Sequence, residues 1–167
     1  AYVNNFTPTD KAKELRDSHG QLSKEELEDK NITNLAVAGR IVLKRVMGNA
    51  SFVTIRDGSG DIQAYISKNN IDPDLYKNFK SWDLGDIIGI TGKLFKTKTE
   101  ELTVEAHSIT LITKSLRPMP EKHKGLADIE IKYRQRYLDL MSSPESKEVF
   151  VKRSQIVSSI RSSMLED

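Results

Sequence analysis

The chain of 167 residues contains no cysteine. Disulfide bonds and metal sites built on cysteine thiolates are therefore excluded, and the composition favours a reducing compartment, which predicts a cytoplasmic location. No run of about 18 apolar residues occurs, so the sequence predicts no membrane-spanning helix and no membrane partner.

Motifs that carry chemistry are also scarce. His19, His107 and His123 lie far apart and lack the spacing of metal ligands, so no metal site is predicted. The sequence has no phosphate-binding loop, no dinucleotide fingerprint and no Ser-His-Asp arrangement. We therefore predict no catalytic residue in this chain.

The sequence also lacks a large excess of positive or negative charge. The chain has 26 Lys and Arg residues against 24 Asp and Glu residues, a formal net charge of +2. A nucleic-acid partner would therefore bind a local basic patch, not a uniformly basic body.

The first part of the chain, residues 1–33, is predicted to be a helical arm. Two short helices fall within residues 9–30, and Thr9 is positioned to cap the first of them. Ser23 opens a capping-box pattern with Glu26 three residues later, which predicts the start of the second helix.

From residue 34 the apolar period changes to two, which is typical of strands. A long first strand contains Gly39, and an internal glycine suggests a bulge or bend. A hairpin follows, then a short helix with Pro73 near its start and Trp82 on its apolar stripe, and then two more strands. This order predicts a mainly β protein with helical extensions, whose centre, residues 34–114, is a five-stranded OB-fold barrel.

The hairpin "SFVTIRDGSGDIQAYI" has one apolar face and one mixed face. Val53 and Ile55 mark the core side, so Phe52 and Gln63 point outward. On this face of an OB fold an aromatic ring can stack on a base and an amide can read its edge. Arg45 can reach a phosphate or a base edge. The alternative is that a helix or the N-terminal arm covers Phe52.

Positive charge follows the first and fourth strands and the turn after the fourth. The residues concerned are Arg40, Lys44, Arg45, Lys93, Lys96 and Lys98. They predict contacts to a nucleic-acid backbone, and the alternative is an ordinary solvated surface. Glu101 lies beside that turn, either to accept a hydrogen bond from a base or only to flank the hairpin.

A proline-containing basic segment, residues 115–127, is predicted to be a linker. Helical periodicity returns at residue 128, with one helix over 128–141 and a second from 144, capped by Ser143. Val149, Ile156 and Ile160 form an apolar stripe on the second helix, which is either core or interface. The sequence ends inside this helical pattern, so we expect a fragment of a longer protein.

Three stretches resemble the bacterial class II lysyl-tRNA synthetase family: "AVAGRIVLKRVMGNASFVTIRDGSGDIQAYI", "WDLGDIIGITGKLFKTKTEELTV" and "RPMPEKHKGLADIEIKYRQRYLDL". The resemblance extends from about Lys11 to Asp167. It implies an OB domain that binds the uracil-rich anticodon of lysine tRNA. It also implies, for the full-length enzyme, a catalytic domain that activates lysine with ATP and magnesium.

The resemblance also implies roles for individual residues. Phe52 would stack on the middle anticodon uracil and Gln63 would hydrogen-bond that base. Arg45 would contact the anticodon, Glu101 would recognise a flanking base, and Arg40 is a weaker candidate. Lys44, Lys96 and Lys98 are predicted to hold the RNA backbone.

Residues 128–167 resemble the start of the class II catalytic domain. The helix at 144–166 resembles the motif-one helix, which lines the homodimer interface in this class. The regions that bind ATP and lysine are not in the sequence, so we expect no catalysis and no cofactor in this fragment. Two rivals remain open: a non-specific single-strand-binding OB protein, and a fragment whose main interaction is dimerisation through residues 144–166.

Overall fold

The computed structural model describes residues 5–119 and 128–166. The chain divides into two compact units between Pro118 and Met119, and each is described by itself. Residues 120–127 of the predicted linker, and His123 with them, lie outside the described residues.

Two short helices precede the sheet, as predicted: α1, Ala12–His19, and α2, Lys24–Lys30. The capping box of α2 is confirmed. Ser23 Oγ accepts a hydrogen bond from the Glu26 N–H, and the Glu26 carboxylate accepts one from the Ser23 N–H.

The predicted cap of α1 is wrong, because the helix begins at Ala12 and not beside Thr9. Its cap comes from the turn between the second and third strands. Asp57 Oδ2 accepts from the Ala12 N–H at 2.8 Å, and Ser59 Oγ accepts from the Lys13 N–H at 3.0 Å. Burial alone would raise the pKa of Asp57, but hydrogen bonds from the N–H groups of Ala12, Ser59 and Gly60 and from the Ser59 hydroxyl outweigh it and lower the pKa.

The predicted five-stranded barrel is confirmed, and its strands close in the order β1-β2-β3-β5-β4. All neighbouring strands are antiparallel except β3 and β5, which are parallel. The elements are β1 (Leu35–Met47), β2 (Ala50–Arg56), β3 (Asp61–Ser67), α3 (Pro73–Lys80), β4 (Ile87–Lys96) and β5 (Leu102–Thr113).

Strand β1 pairs with two different strands and thereby closes the barrel. Its first half pairs with β4 and its second half pairs with β2. The register irregularity lies between Ile41 and Leu43, not at Gly39 as the sequence suggested. Gly39 instead permits close approach of β2, because a Cβ there would lie 2.8 Å from the Arg56 carbonyl oxygen.

Alternate residues of the strands fill the barrel. The inward side chains of the hairpin, including Val53, Ile55, Ile62 and Ile66, are fully buried, as the period of two predicted. Trp82 lies beyond the end of α3, not on the helix, and its ring packs at 5.6 Å from the ring of Phe79.

A buried carboxylate joins the start of β4 to the end of β5. The Asp86 side chain is 0% exposed and accepts hydrogen bonds from the N–H groups of Asp83 and Ser115 and from Lys114 Nζ. Burial alone would raise the pKa of Asp86, but these donors outweigh it and lower the pKa below 3.8. The ionised form is therefore the form that the fold stabilises.

We expect Asp86→Asn to lower the free energy of unfolding by about 1.5 kcal/mol at pH 7, the value of a hydrogen bond to a charged group. Because the folded pKa is lowered, this stability is present above pH 3.8 and is lost as the pH falls through the folded pKa. Urea titrations between pH 7 and pH 3 should show the stabilities of the variant and the parent begin to converge below pH 3.8. Asp29→Asn, on the exposed side of α2, is the control. A difference that persists undiminished at low pH would contradict the assignment.

The second unit is helical. The predicted helix over 128–141 is interrupted at Gln135, where φ is −121° and ψ is 59°, giving α4 (Ile129–Arg134) and α5 (Arg136–Ser142). At this break the Arg136 guanidinium lies 4.9 Å from the Tyr133 ring and 5.2 Å from the Phe150 ring. The same arginine donates a hydrogen bond of 2.6 Å to the buried Asp139.

The long helix α6, Pro144–Glu166, begins where the sequence predicted, and Ser143 Oγ accepts from the Ser146 N–H as its cap. Val149, Ile156 and Ile160 are 65%, 60% and 54% exposed, so the apolar stripe is not core within this chain. Its role as an interface stays a prediction. Of the helices in the described residues, none is both long and apolar enough to cross a membrane.

Candidate nucleic-acid interface

An open groove of about 970 Å³ runs over the outward face of the barrel. Residues from all five strands, from the β4–β5 turn and from α2 line it. Of the residues predicted from sequence, the groove contains Arg45, Phe52, Gln63, Lys93, Lys96, Lys98 and Glu101. The fold therefore brings together residues that are up to 56 positions apart in the sequence.

The cross-strand register places five groove residues in one continuous row. Arg45 pairs with Phe52, Phe52 with Tyr65, Tyr65 with Glu105, and Glu105 with Lys93. Paired residues on one face of a sheet lie side by side. The row therefore presents, in order, a guanidinium, two aromatic rings, a carboxylate and an ammonium.

The aromatic rings form a platform. The Phe52 and Tyr65 ring centroids are 5.2 Å apart with planes tilted by 50°, and Tyr65 meets Phe95 edge-on at 6.1 Å. Phe52 is only half-buried, so its ring remains available to a ligand in the groove. An aromatic ring exposed on this face can stack on any nucleic-acid base.

Beside the platform a chain of hydrogen bonds orients Gln63. Its Nε2 donates to Thr103 Oγ1 at 2.9 Å, and Thr103 Oγ1 donates to the Glu101 carbonyl oxygen at 3.0 Å. In the described part of the chain, no hydrogen bond is made to Gln63 Oε1. The amide therefore has one acceptor and one remaining N–H to offer.

The β4–β5 turn holds Glu101 at the rim of the groove. The Thr97 N–H donates to the Glu101 carbonyl, and Thr97 Oγ1 accepts from the Glu101 N–H. Glu100 has a φ of 59°, a left-handed conformation that reverses the chain here. The Glu101 carboxylate itself is half exposed, 3.9 Å from the Arg16 guanidinium, a separation at which an exposed pair contributes little.

The cationic side chains of the groove differ in whether they already pair with a carboxylate. Lys93 Nζ pairs with Glu105 at 2.9 Å, and Lys96 Nζ lies 3.6 Å from Glu100. Arg45 and Lys98 have no ion-pair partner among the residues that the structure describes. These two cations are therefore the ones best placed to meet a phosphate group.

Two of the predicted RNA-contacting residues do not line the groove. Arg40 donates to the Gly85 carbonyl oxygen at 2.8 Å. Lys44 Nζ donates to three carbonyl oxygens at the end of α3, those of Phe79, Lys80 and Trp82, at 2.7 to 3.1 Å. Burial lowers the pKa of Lys44. All three N–H groups of the Lys44 ammonium are thus directed at the end of α3. We therefore retain neither Lys44 nor Arg40 in the candidate site.

Sequence reasoning left out several groove residues. The period of two places Tyr65 on the outward face with Phe52, but Tyr65 was not assigned to the site. The same period could have identified Phe95 on the outward face of β4. The α2 side chains in the groove, and the buried Thr103 beneath it, were not foreseen, because their placement depends on which elements meet. No group of three or more His, Asp or Glu residues suited to a metal ion occurs in residues 5–119 and 128–166.

Comparisons with known proteins agree with this geometry. Residues 35–112 match the family of OB-fold nucleic acid binding domains. Over 165 residues, 99% of its length, the chain is 54% identical to the lysine–tRNA ligase of Chromobacterium violaceum. The corresponding identities to the lysine–tRNA ligases of Azoarcus sp. and Neisseria meningitidis serogroup B are 52% and 50%. The chain spans 33% of the length of each of these relatives. The chain is therefore homologous, over almost its whole length, to one third of the length of these lysine–tRNA ligases, and its barrel is an OB-fold nucleic acid binding domain.

Proposed function

We propose that this chain binds the anticodon loop of lysine tRNA in the groove. The observation that carries the proposal is the arrangement of a half-buried Phe52 in the groove near a Gln63 amide held in one orientation. A stacking surface supplies affinity for a base and the adjacent amide supplies a choice among bases. The names of the relatives supply the identity of the RNA.

Each groove residue has a distinct part in this binding. Phe52 stacks on the middle anticodon base, and the Gln63 amide hydrogen-bonds the edge of that base. The Glu101 carboxylate accepts a hydrogen bond from a flanking base. Arg45 and Lys98 contact the RNA backbone, and Lys96 adds positive charge close to the turn.

The whole protein has a wider proposed activity. The relatives are lysine–tRNA ligases, and we propose that the full-length protein joins lysine to its tRNA, using ATP and magnesium. The exposed apolar stripe of α6 would then lie in the interface of a homodimer, and the protein would be cytoplasmic. The residues described here take part in the RNA-binding step of that reaction.

A binding titration tests the proposal. The ligands are two short RNA hairpins, one with three uracils at the centre of the loop and one whose middle uracil is replaced by cytosine. We expect about tenfold tighter binding of the first, within the 1–3 kcal/mol of one base-reading contact. Both affinities should fall as salt rises, because phosphate contacts release counterions. Tight binding with no preference would instead support a non-specific single-strand binder, and no binding would contradict the proposal.

A further inference from the structure

We infer that Thr103 is a positioning residue that makes the Gln63 amide choose uracil over cytosine. The inference rests on the proposed function and deepens it. Thr103 cannot touch the RNA itself, because its side chain is buried beneath the groove at 0% exposure. Its effect on base choice would pass through Gln63.

The single hydroxyl hydrogen of Thr103 is already used. Oγ1 donates it to the Glu101 carbonyl oxygen at 3.0 Å, and a carbonyl can only accept. Towards Gln63 the hydroxyl can therefore offer only a lone pair, which accepts from Nε2 at 2.9 Å. With the side chain fully buried, no solvent is available to replace either hydrogen bond.

If the Gln63 amide were flipped, it could not form an equivalent hydrogen bond with Thr103 unless another hydrogen bond were broken. Rotation by half a turn would bring Oε1 against Oγ1, with two oxygens facing each other and no hydrogen between them. The hydroxyl could turn to donate to Oε1 only by abandoning the Glu101 carbonyl. One buried hydrogen bond is lost in either case, so Thr103 favours one of the two amide orientations.

The fixed orientation matters because uracil and cytosine present opposite patterns. Uracil has an N3–H donor beside the O4 acceptor, whereas cytosine has the N3 acceptor beside an amino donor. An amide with its C=O and N–H in fixed places matches one pattern and opposes the other, whereas a freely rotating amide matches both. Thr103 thus supplies discrimination that Gln63 alone would lack.

The same hydroxyl links two reading residues. The Glu101 carbonyl that it contacts also accepts from the Thr97 N–H at 3.1 Å, which fixes the β4–β5 turn. Thr103 therefore connects the residue proposed to read the middle base with the turn that presents the Glu101 carboxylate.

Thr103→Val tests the inference, because valine keeps the shape and removes the hydroxyl. Thr103→Ser, which keeps the hydroxyl, is the matched control. We expect the ratio of the two dissociation constants, cytosine loop over uracil loop, to fall from about tenfold to about twofold in Thr103→Val. The serine variant should keep the parent ratio. A purely structural role would weaken both RNAs equally and leave the ratio unchanged.

A double-mutant cycle with Gln63→Ala locates the effect. If Thr103 acts through Gln63, adding Thr103→Val to Gln63→Ala changes the ratio no further. An additional loss of the same size in the double variant would overturn the inference, as would an unchanged ratio in a folded Thr103→Val protein.

A measurement without RNA separates this inference from the proposed function. In the free protein, the Gln63 side-chain amide protons should give two well-dispersed NMR signals, one of them slow to exchange with water. Thr103→Val should remove that protection and Thr103→Ser should keep it. If the parent protein binds neither hairpin, the proposed function fails even when this protection is observed. If the protection is absent in the parent, the Thr103 inference fails even when uracil is preferred.

Discussion

Replacing Phe52 by alanine is expected to weaken binding of the uracil-loop hairpin by 1–3 kcal/mol, or about 5- to 150-fold in the dissociation constant. The loss follows from removal of the stacking surface, since Phe52 is the ring of the Arg45–Lys93 row that lies next to Arg45. Stacking is tolerant of base identity, so both hairpins should weaken by similar factors. Fluorescence titration with labelled hairpins measures the change.

Two further variants make the Phe52 result specific. Phe52→Tyr keeps an aromatic ring and should bind within about twofold of the parent, because stacking on the ring is retained. Leu84→Ala removes an apolar side chain that is 46% exposed and does not line the groove, so it should leave binding unchanged. Parent-like affinity in a folded Phe52→Ala protein would remove Phe52 from the site.

The largest effect on stability is expected at Gly92, opposite Ala106 in the β4–β5 pair. A Cβ at this position would lie 1.9 Å from the Glu105 carbonyl oxygen and 2.8 Å from its carbon. Both groups belong to paired backbone, which cannot rotate away as a side chain could. We expect Gly92→Ala to reduce the free energy of unfolding by about 3 kcal/mol or more, at or beyond the upper end of overpacking effects. Urea unfolding followed by circular dichroism measures the loss.

Gly60→Ala is the matched control for Gly92. A Cβ at Gly60 would meet nothing within 4 Å, and the Gly60 N–H that donates to Asp57 is retained in alanine. Its unfolding midpoint should stay close to that of the parent. Equal unfolding midpoints for the two variants would show that β4 and β5 can separate locally to admit the methyl group.

The parts of the site that could be predicted from the sequence are those set by the alternation of inward and outward residues along a strand. Along β2 and β3, alternation places Val53 inward and Phe52 outward, and the tight turn fixes which residues face one another. The same reasoning gave the succession of elements along the chain, with the helix between the third and fourth strands. Each of these features depends on residues only a few positions apart.

The features that sequence did not predict depend on distant partners. The cap of α1 is Asp57, which lies 45 positions after the Ala12 N–H that it accepts from. After the register shift in β1, Lys44 pairs with the inward-facing Val53, and its ammonium donates to carbonyl oxygens at the end of α3. No local sequence pattern indicates that these elements meet. Neither the Asp57 cap nor the contact of Lys44 with the end of α3 could therefore be predicted.

The parallel pairing of β3 with β5 has a consequence for biosynthesis. Strands β1 to β3 are joined by short turns and can form a meander once residue 67 has emerged from the ribosome. The Gln63–Thr103 contact spans 40 positions, so it forms only after β5 has been synthesised. Until then the nascent chain has its stacking ring but lacks the group that orients its amide. The proposed preference among bases would therefore be acquired only when β5 joins β3 and the barrel closes.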